Sequence, residues 1–353
     1  MYTITRKQRK LDHIEHFLTM PEISGLSCFG DLTLIHNALP ELNWDMLNTE
    51  YTFLGHKLRA PLIINAITGG HPNVLNINSN LAEAAAITGI GMAVGSQQAA
   101  LEDPTVLKTF SIAREKNPNG LLLANLSALC TLEEALQAIQ MIDADGIQLY
   151  LNVSQELVMP EGELNFKGAL SNIEYLSQNL PIPLIVKEVG CGINKETAGI
   201  LFNAGVRYLD LGGFGGVNFA SIEGKRRGES DTPLSKWGIP TAISLLETLT
   251  VNKRLLIIAT GGLRTPEEAV KSLVAGAAMI ALAGPFLQVL QHQGLEGLIK
   301  YINSFITGIA QIMMLTGAQN ITQLTEKPLV ITGYVAEWMH RRGIDIDCYA
   351  RRS

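Results

Sequence analysis

Aromatic residues are scarce, at 6% of 353 positions. Charged residues, at 17%, fall below the ~25% of an average soluble protein. Few aromatics argue against a base-stacking platform for single-stranded nucleic acid. A net charge of −6 argues against a general polyanion binder, so no nucleic-acid partner is expected. Low charge beside 47% hydrophobic residues excludes intrinsic disorder. The four cysteines, Cys28, Cys130, Cys191 and Cys348, lie far apart without a CxxC pair. That spacing suits neither a zinc knot nor a disulfide scaffold. The seven histidines form no HExxH motif, and no zinc site is expected. No run approaches ~18 consecutive apolar residues, so no membrane span is expected. The opening MYTITRKQRKLDHIEHFL has neither the apolar core nor the cleavage site of a secretory leader. Together these absences lead to the expectation of a soluble, cytoplasmic protein.

What is present is a repeated unit from about residue 60 onward. A short apolar run ends in Gly or a small polar residue, and a helical pattern follows. The runs are Leu62–Thr68, Ile90–Gly95, Leu121–Leu126, Gly146–Asn152, Leu184–Val189, Tyr208–Gly213, Leu255–Thr260 and Met279–Gly284. Short, nearly continuous apolar runs suit parallel strands buried on both faces. Helical patterns lie between them. Asn78–Thr88 is one. Thr131–Ile142 opens with a capping box to Glu134. Asn194–Ala204 ends at Gly205, a good helix stop. Thr265-Pro266-Glu267-Glu268 is a helix start. Eight alternating units predict an α/β protein, a (β/α)8 TIM barrel; a doubly wound sheet is the structural alternative. Residues 1–60 read as an N-terminal extension with a basic arm and a helix from about Asp12 to Met20. Residues 61–353 read as the barrel, with C-terminal helices near Pro285–Gln293 and Leu295–Leu315.

In such a barrel the chemistry sits at the C-terminal ends of the strands. Thr68, Ser96 and Asn125 there suit hydrogen bonds to a flat heterocycle. Glycine-rich turns follow the last three strands, at Gly212–Gly216, Gly261-Gly262 and Gly284. Such turns cradle phosphates through backbone N–H groups. Lys187 adds a cation, and a phosphorylated flavin, FMN, satisfies all of this. A bland reading exists for each: tight turns, a paired lysine, ordinary loop polars. Glu156, beside Gln155 just past the fourth strand, is a candidate Mg2+ ligand, since one carboxylate with water and substrate oxygens commonly holds that ion. Its alternative is capping or pairing with a lysine. The run Arg6–Lys10 is either a solvated tail or a clamp for a diphosphate. The segment Ile222–Asp231, IEGKRRGESD, reads as a charged lid loop. Cys191 is a weak nucleophile candidate, with no His placed beside it.

Together these residues resemble the type 2 isopentenyl diphosphate isomerases, flavin-dependent barrel enzymes. The resemblance runs from about Arg9 to Arg342. Its carriers are Arg9-Lys10 with Asp12-His13-Ile14, INAITGG at Ile64–Gly70, and the Gly95-Ser96-Gln97 turn. NVSQELVMPEGE at Asn152–Glu163 and VKEVGCGI at Val186–Ile193 also match. So do GGVNFASIE at Gly215–Glu223, SKWGIPT at Ser235–Thr241 and the stretch Ala259–Ala277. The resemblance implies interconversion of isopentenyl and dimethylallyl diphosphate by proton addition and removal. It implies FMN in reduced form, a reductant such as NADPH, and Mg2+. It assigns Arg9, Lys10, Ser96, Gln97, Gln98, Asn152 and Gln155 to the diphosphate substrate, and Gln155 to catalysis as an orienting group. It assigns Ala66, Ile67, Thr68, Ser96, Asn125, Lys187, Gly212 and Val217 to FMN. Gly261, Gly262, Arg264, Ala283 and Gly284 surround the FMN phosphate, and Glu156 holds Mg2+. A homo-oligomer is expected, because a phosphate-clamping arm suggests exchange between subunits.

The chain departs from that pattern at four places. Tyr150 stands where His is usual, Gln98 where Arg is common, Gly212 where Ser is usual and Val217 where Thr is usual. Two other readings are carried. An FMN-dependent 2-hydroxyacid oxidase shares the barrel, yet its His-Gly-Gly-Arg turn is here Phe214-Gly215-Gly216-Val217. A degraded homologue would bind flavin or diphosphate without efficient turnover.

Overall fold

The computed structural model describes residues 6–19, 26–229 and 232–352. Met20, Ser230 and Asp231, and residues 1–5, lie outside the described residues. Eight parallel strands close into a barrel. In chain order they are β1 (Leu62–Ile64), β2 (Gly91–Ala93), β3 (Leu122–Ser127), β4 (Gly146–Leu151), β5 (Leu184–Glu188), β6 (Tyr208–Asp210), β7 (Leu256–Thr260) and β8 (Met279–Leu282). Each pairs with its sequence neighbours, and β8 closes on β1 through Leu282↔Ile64. All eight expected runs are strands, and a closed barrel replaces the doubly wound alternative. Several runs outlast their strands. β1 stops at Ile64, and the run continues as buried loop to Gly69 and Gly70, which take positive φ. An apolar run cannot tell a strand from the buried loop that continues it.

Side chains alternate across each strand. Ile63, Ala93, Leu123, Ile185, Ile258 and Ala281 point into the barrel and form one apolar layer. Phe53 and Leu58 join that layer from the hairpin Tyr51–Phe53/His56–Leu58, which plugs the N-terminal end of the barrel. One pleat further along, the same parity places Asn65, Asn125, Gln148, Lys187, Asp210 and Thr260 in a polar layer. That layer is the floor beneath the C-terminal mouth.

The helical signals read from sequence form as expected. Thr131 and Thr265 each make a complete capping box, with Glu134 and Glu268. Asn194 caps the helix Lys195–Asn203 by accepting from Thr197 N–H. The N-terminal helix differs from expectation. It spans Arg6–Thr19, so the basic run lies within a helix rather than in a free arm. The expected lid loop differs too. Phe219–Arg226 is a helix, started by Asn218, whose side chain accepts from Ser221 N–H at 2.9 Å. Gly284–Thr316, long and apolar enough by composition to cross a membrane, breaks at Gly294 (φ 68) and packs on the helices Leu75–Thr88 and Pro266–Ala275.

The first 60 residues serve two places. The N-terminal helix lies at the mouth, while residues 29–58 pack at the barrel's side and opposite end. Leu32–Leu34 pairs antiparallel with Leu329–Ile331. Asp31 fastens this clasp: its carbonyl accepts from Thr332 N–H and its carboxylate from Val335 N–H at 3.0 Å, capping the helix Gly333–Arg341. Asp31→Ala should therefore cost about 1 kcal/mol. Faster amide exchange confined to residues 333–341 would register it; unchanged exchange there would contradict the capping role.

Candidate functional site

The polar floor opens into a cavity whose walls come from the ends of the strands and whose cover is the N-terminal helix. Most residues expected at the site line it: Arg9, Lys10, Ala66, Ile67, Ser96, Asn125, Asn152, Gln155, Glu156, Lys187, Gly212, Val217, Gly261, Gly262, Arg264, Ala283 and Gly284. Three do not. Thr68 is buried, with its carbonyl accepting from Gly95 N–H and Asn78 Nδ2 and its Oγ1 without a partner among the described residues. Gln97 has no exposed surface. Its Nε2 donates to the Ala138 carbonyl at 2.8 Å and its Oε1 accepts from Asn125 N–H at 3.0 Å, so it braces Asn125 from behind. Gln98 turns outward to Glu134 at 3.3 Å. Gln97 takes a helical backbone conformation at the start of the helix Gln98–Glu102, and its bonds hold it behind the wall that Ser96 lines.

The floor is built on Asp210. Its carboxylate accepts from Asn65 Nδ2 at 2.7 Å, Gln148 Nε2 at 3.1 Å, Lys187 Nζ at 3.2 Å and Thr260 Oγ1. Above it, Asn125 has a buried Oδ1 that no donor among the described residues reaches. A buried acceptor of this kind calls for a ligand donor. Ser96 Oγ lies 3.2 Å from Tyr150 Oη on the same wall.

On one side the turns after β6 and β7 touch backbone to backbone. A Cβ on Gly261 would collide with the Gly213 carbonyl, and one on Gly216 would meet Gly262 N at 2.7 Å. Gly261 also holds φ 104, which an L side chain disfavours. Arg264 curls over this cradle, donating to the carbonyls of Gly262 at 2.8 Å and Gly215 at 3.2 Å. The helix that begins at Gly284 points its N-terminus at the cavity, and such an end attracts phosphate.

On the other side, the short helix Val153–Val158 starts directly after β4 and projects Gln155 and Glu156 into the mouth. Asn152 Nδ2 donates to Glu156 Oε1 at 2.6 Å, and Glu163 N–H donates to its Oε2 at 2.8 Å. Glu156 thus holds an amide and a backbone N–H rather than a lysine. Gln155 Nε2 donates to Glu223 Oε1 at 3.2 Å. The same oxygen lies 2.7 Å from His13 Nε2, and Arg226 pairs with the other oxygen. Arg226 also reaches Glu161 at 3.1 Å and Asp12 at 3.5 Å. Arg9 Nη1 contacts Met159 Sδ at 3.1 Å.

Reading the sequence placed His13 in a motif without a role, and gave Glu223 and Arg226 to a lid. Asn218, a helix-starting residue, was the available signal that a helix would carry Glu223 inward. Glu223 has no exposed surface. Burial alone would raise its carboxyl, but the His13 hydrogen bond and the His13 and Arg226 charges hold it below the usual range. Burial holds His13 below its ordinary value against the pull of Glu223. Burial pushes the Cys191 thiol up to about 11, which makes a poor nucleophile of it.

Residues 153–331 match the FMN-dependent dehydrogenase family. The isopentenyl-diphosphate delta-isomerase of Moorella thermoacetica is 44% identical over 96% of this chain and 97% of its own. That of a Geobacillus species is 43% identical over 99% of this chain and 100% of its own. The chain belongs to the isopentenyl-diphosphate delta-isomerase family. Among solved structures, a Pediococcus acidilactici protein assigned as a lactate oxidase aligns with a TM-score of 0.70 at 16% identity, over 92% of this chain and 91% of that one. A mandelate oxidase variant aligns at 0.65 and 14% identity, over 93% and 99%. These share the fold.

Two departures from the isopentenyl-diphosphate delta-isomerase pattern have local accounts. Tyr150 spends its hydroxyl on Ser96. Gly212 is not simply a lost hydroxyl: at φ 47, a Cβ there would collide with the Glu188 carbonyl. Val217 presents methyl groups to the cavity, and nothing in the structure explains that choice. Glu188 itself organises the turn after β5, accepting from the N–H groups of Gly190 (2.7 Å) and Cys191. Burial nonetheless pushes its carboxyl up to about 7. Between the ordinary value of 4.5 and about 7, the folded protein keeps a proton that the unfolded chain has released. Stability therefore falls as pH rises through that window. Glu188→Gln cannot titrate and should lack this slope. Denaturation midpoints of the two proteins, compared across the window, should converge or cross; a constant offset would contradict the raised carboxyl.

Proposed function

We propose that this protein interconverts isopentenyl and dimethylallyl diphosphate, with reduced FMN in the cradle and Mg2+ on the diphosphate. The observation that carries this reading is the uncharged Gln155 amide, fixed by Glu223 between a cationic end and the glycine-rich cradle. The residues present fit FMN. Asn125 Oδ1 is a buried acceptor without a partner among the described residues, and a flavin ring N–H would supply a donor. The backbone cradle at Gly261-Gly262, with Arg264 and the helix start at Gly284, suits the phosphate. When bound, reduced FMN supplies a ring N5 able to give and accept a proton. A reductant such as NADPH would set its oxidation state.

The chain's own groups bind, orient and enclose. Arg9 and Lys10 offer cations from the covering helix, where a diphosphate carries its charge. Glu156 is a single carboxylate, and among the described residues no cluster of three His, Cys, Asp or Glu side chains stands ready for a metal. Mg2+ held there would complete its shell with water and diphosphate oxygens, as is usual for that ion. Gln155 orients the substrate, since an amide is a poor general acid. The covering helix excludes water through Ile14 and Phe17. The turn Phe214–Val217 offers neither imidazole nor guanidinium, which disfavours oxidation of a 2-hydroxy acid.

Glu156→Gln should abolish Mg2+-dependent turnover while the flavin spectrum stays intact; full turnover in this variant would remove the metal role. Arg9→Ala should raise the KM for isopentenyl diphosphate about tenfold or more, as a lost charge-assisted contact does. Steady-state kinetics decides it, and an unchanged KM would return the basic run to a structural role.

A further inference from the structure

Asp210 places a carboxyl group with no exposed surface at the centre of the barrel. It lies on β6, in register with Lys187 on β5 and Ile258 on β7. Oδ1 takes Lys187 Nζ and Thr260 Oγ1, while Oδ2 takes Asn65 Nδ2 and Gln148 Nε2. Its lone pairs are thus filled by side chains from four other segments. Three of those donors, Asn65, Lys187 and Thr260, are also cavity walls, whereas Asp210 and Gln148 lie beneath. The ties continue outward. Asn65 Oδ1 accepts from Ala66 N–H at 2.8 Å, and Thr260 Oγ1 accepts from Gly212 N–H at 2.7 Å. Gln148 Oε1 lies 3.5 Å from Asn125 Nδ2. A buried ion pair is weak evidence for stability, because apolar side chains of similar volume commonly do as well. This pair stands at the floor of the cavity, where Lys187 would face a bound ring.

We propose that Asp210 is a positioning residue and counter-ion for the flavin site. It fixes Lys187, Asn65 and Thr260 at the floor and offsets the Lys187 charge, so that the oxidised, neutral ring meets a neutral pair. This rests on the reading that the cavity holds FMN. The reduced ring, when anionic, then feels only part of the Lys187 field, because the carboxylate 3.2 Å away opposes it.

The test is the affinity of the Asp210→Asn apoprotein for oxidised and for reduced FMN, titrated anaerobically beside the unaltered protein. Removing the carboxylate leaves the Lys187 charge unopposed. The ratio of the oxidised-form Kd to the reduced-form Kd should rise about tenfold or more. A purely structural role weakens both forms alike and leaves the ratio unchanged; that result, or a fall, overturns the proposal. Should the variant not fold, the unaltered holoenzyme still decides. Among the described residues no aspartate lines the cavity, and Asp210 alone contacts the floor. Carbon-13-labelled aspartate should therefore give an isotope-sensitive carboxylate band in the reduced-minus-oxidised infrared spectrum, and its absence overturns the proposal. Failure of the FMN reading itself looks different: the unaltered protein would bind neither form of FMN.

Discussion

A carboxylate stripped of water stays ionised only if donors fill its lone pairs. Two buried carboxyl groups organise the cavity, Asp210 below it and Glu223 above it, both without exposed surface. Asp210 draws together side chains from or beside four strands and so sets the floor. Glu223 draws together the N-terminal helix through His13, the post-β4 helix through Gln155, and its own helix through Arg226. The barrel supplies the frame, but these two groups decide which polar groups face the ligand. The glycine cradle is tied to Asp210 only through Thr260, which accepts from Gly212 N–H. It exists because two turns approach too closely for any side chain.

Much of the fold was legible because burial leaves a simple mark. Strands covered on both faces must be apolar throughout, and eight such runs separated by capped helices admit few architectures. The cofactor side was legible for a similar reason, since glycine pairs at strand ends have a backbone role that spacing reveals. Strand ends were less so. LIINAIT reads as one apolar run, yet its Asn65 points inward and its last residues are loop.

The rest was hidden by two physical facts. Facing depends on parity, and parity is countable only once one inward residue is known. From Ile63, Leu123, Ile185 and Ile258, counting forward by two gives Asn65, Asn125, Lys187 and Thr260. The same count passes from Tyr208 to Asp210, which drew no notice in the sequence. Gln97 defeats that count: it shares the parity of inward Ala93, but the chain has left the strand and turned helical there, and its side chain lies behind Asn125. The second fact is that buried charges look like surface charges. IEGKRRGESD has the composition of a solvated loop, and contacts distant in sequence draw its helix inward: Glu223 and Arg226 with Asp12 and His13, more than 200 residues away, and with Gln155 and Glu161.

The central claim is that this enclosed site moves a double bond without net redox change. The most direct measurement is anaerobic incubation of the FMN-loaded, chemically reduced protein with isopentenyl diphosphate and Mg2+, followed by mass-resolved product analysis in deuterated water. The account predicts dimethylallyl diphosphate carrying solvent deuterium, with the flavin still reduced at the end and no product from the oxidised protein. Reduced, flavin-loaded protein that leaves isopentenyl diphosphate unchanged would contradict it.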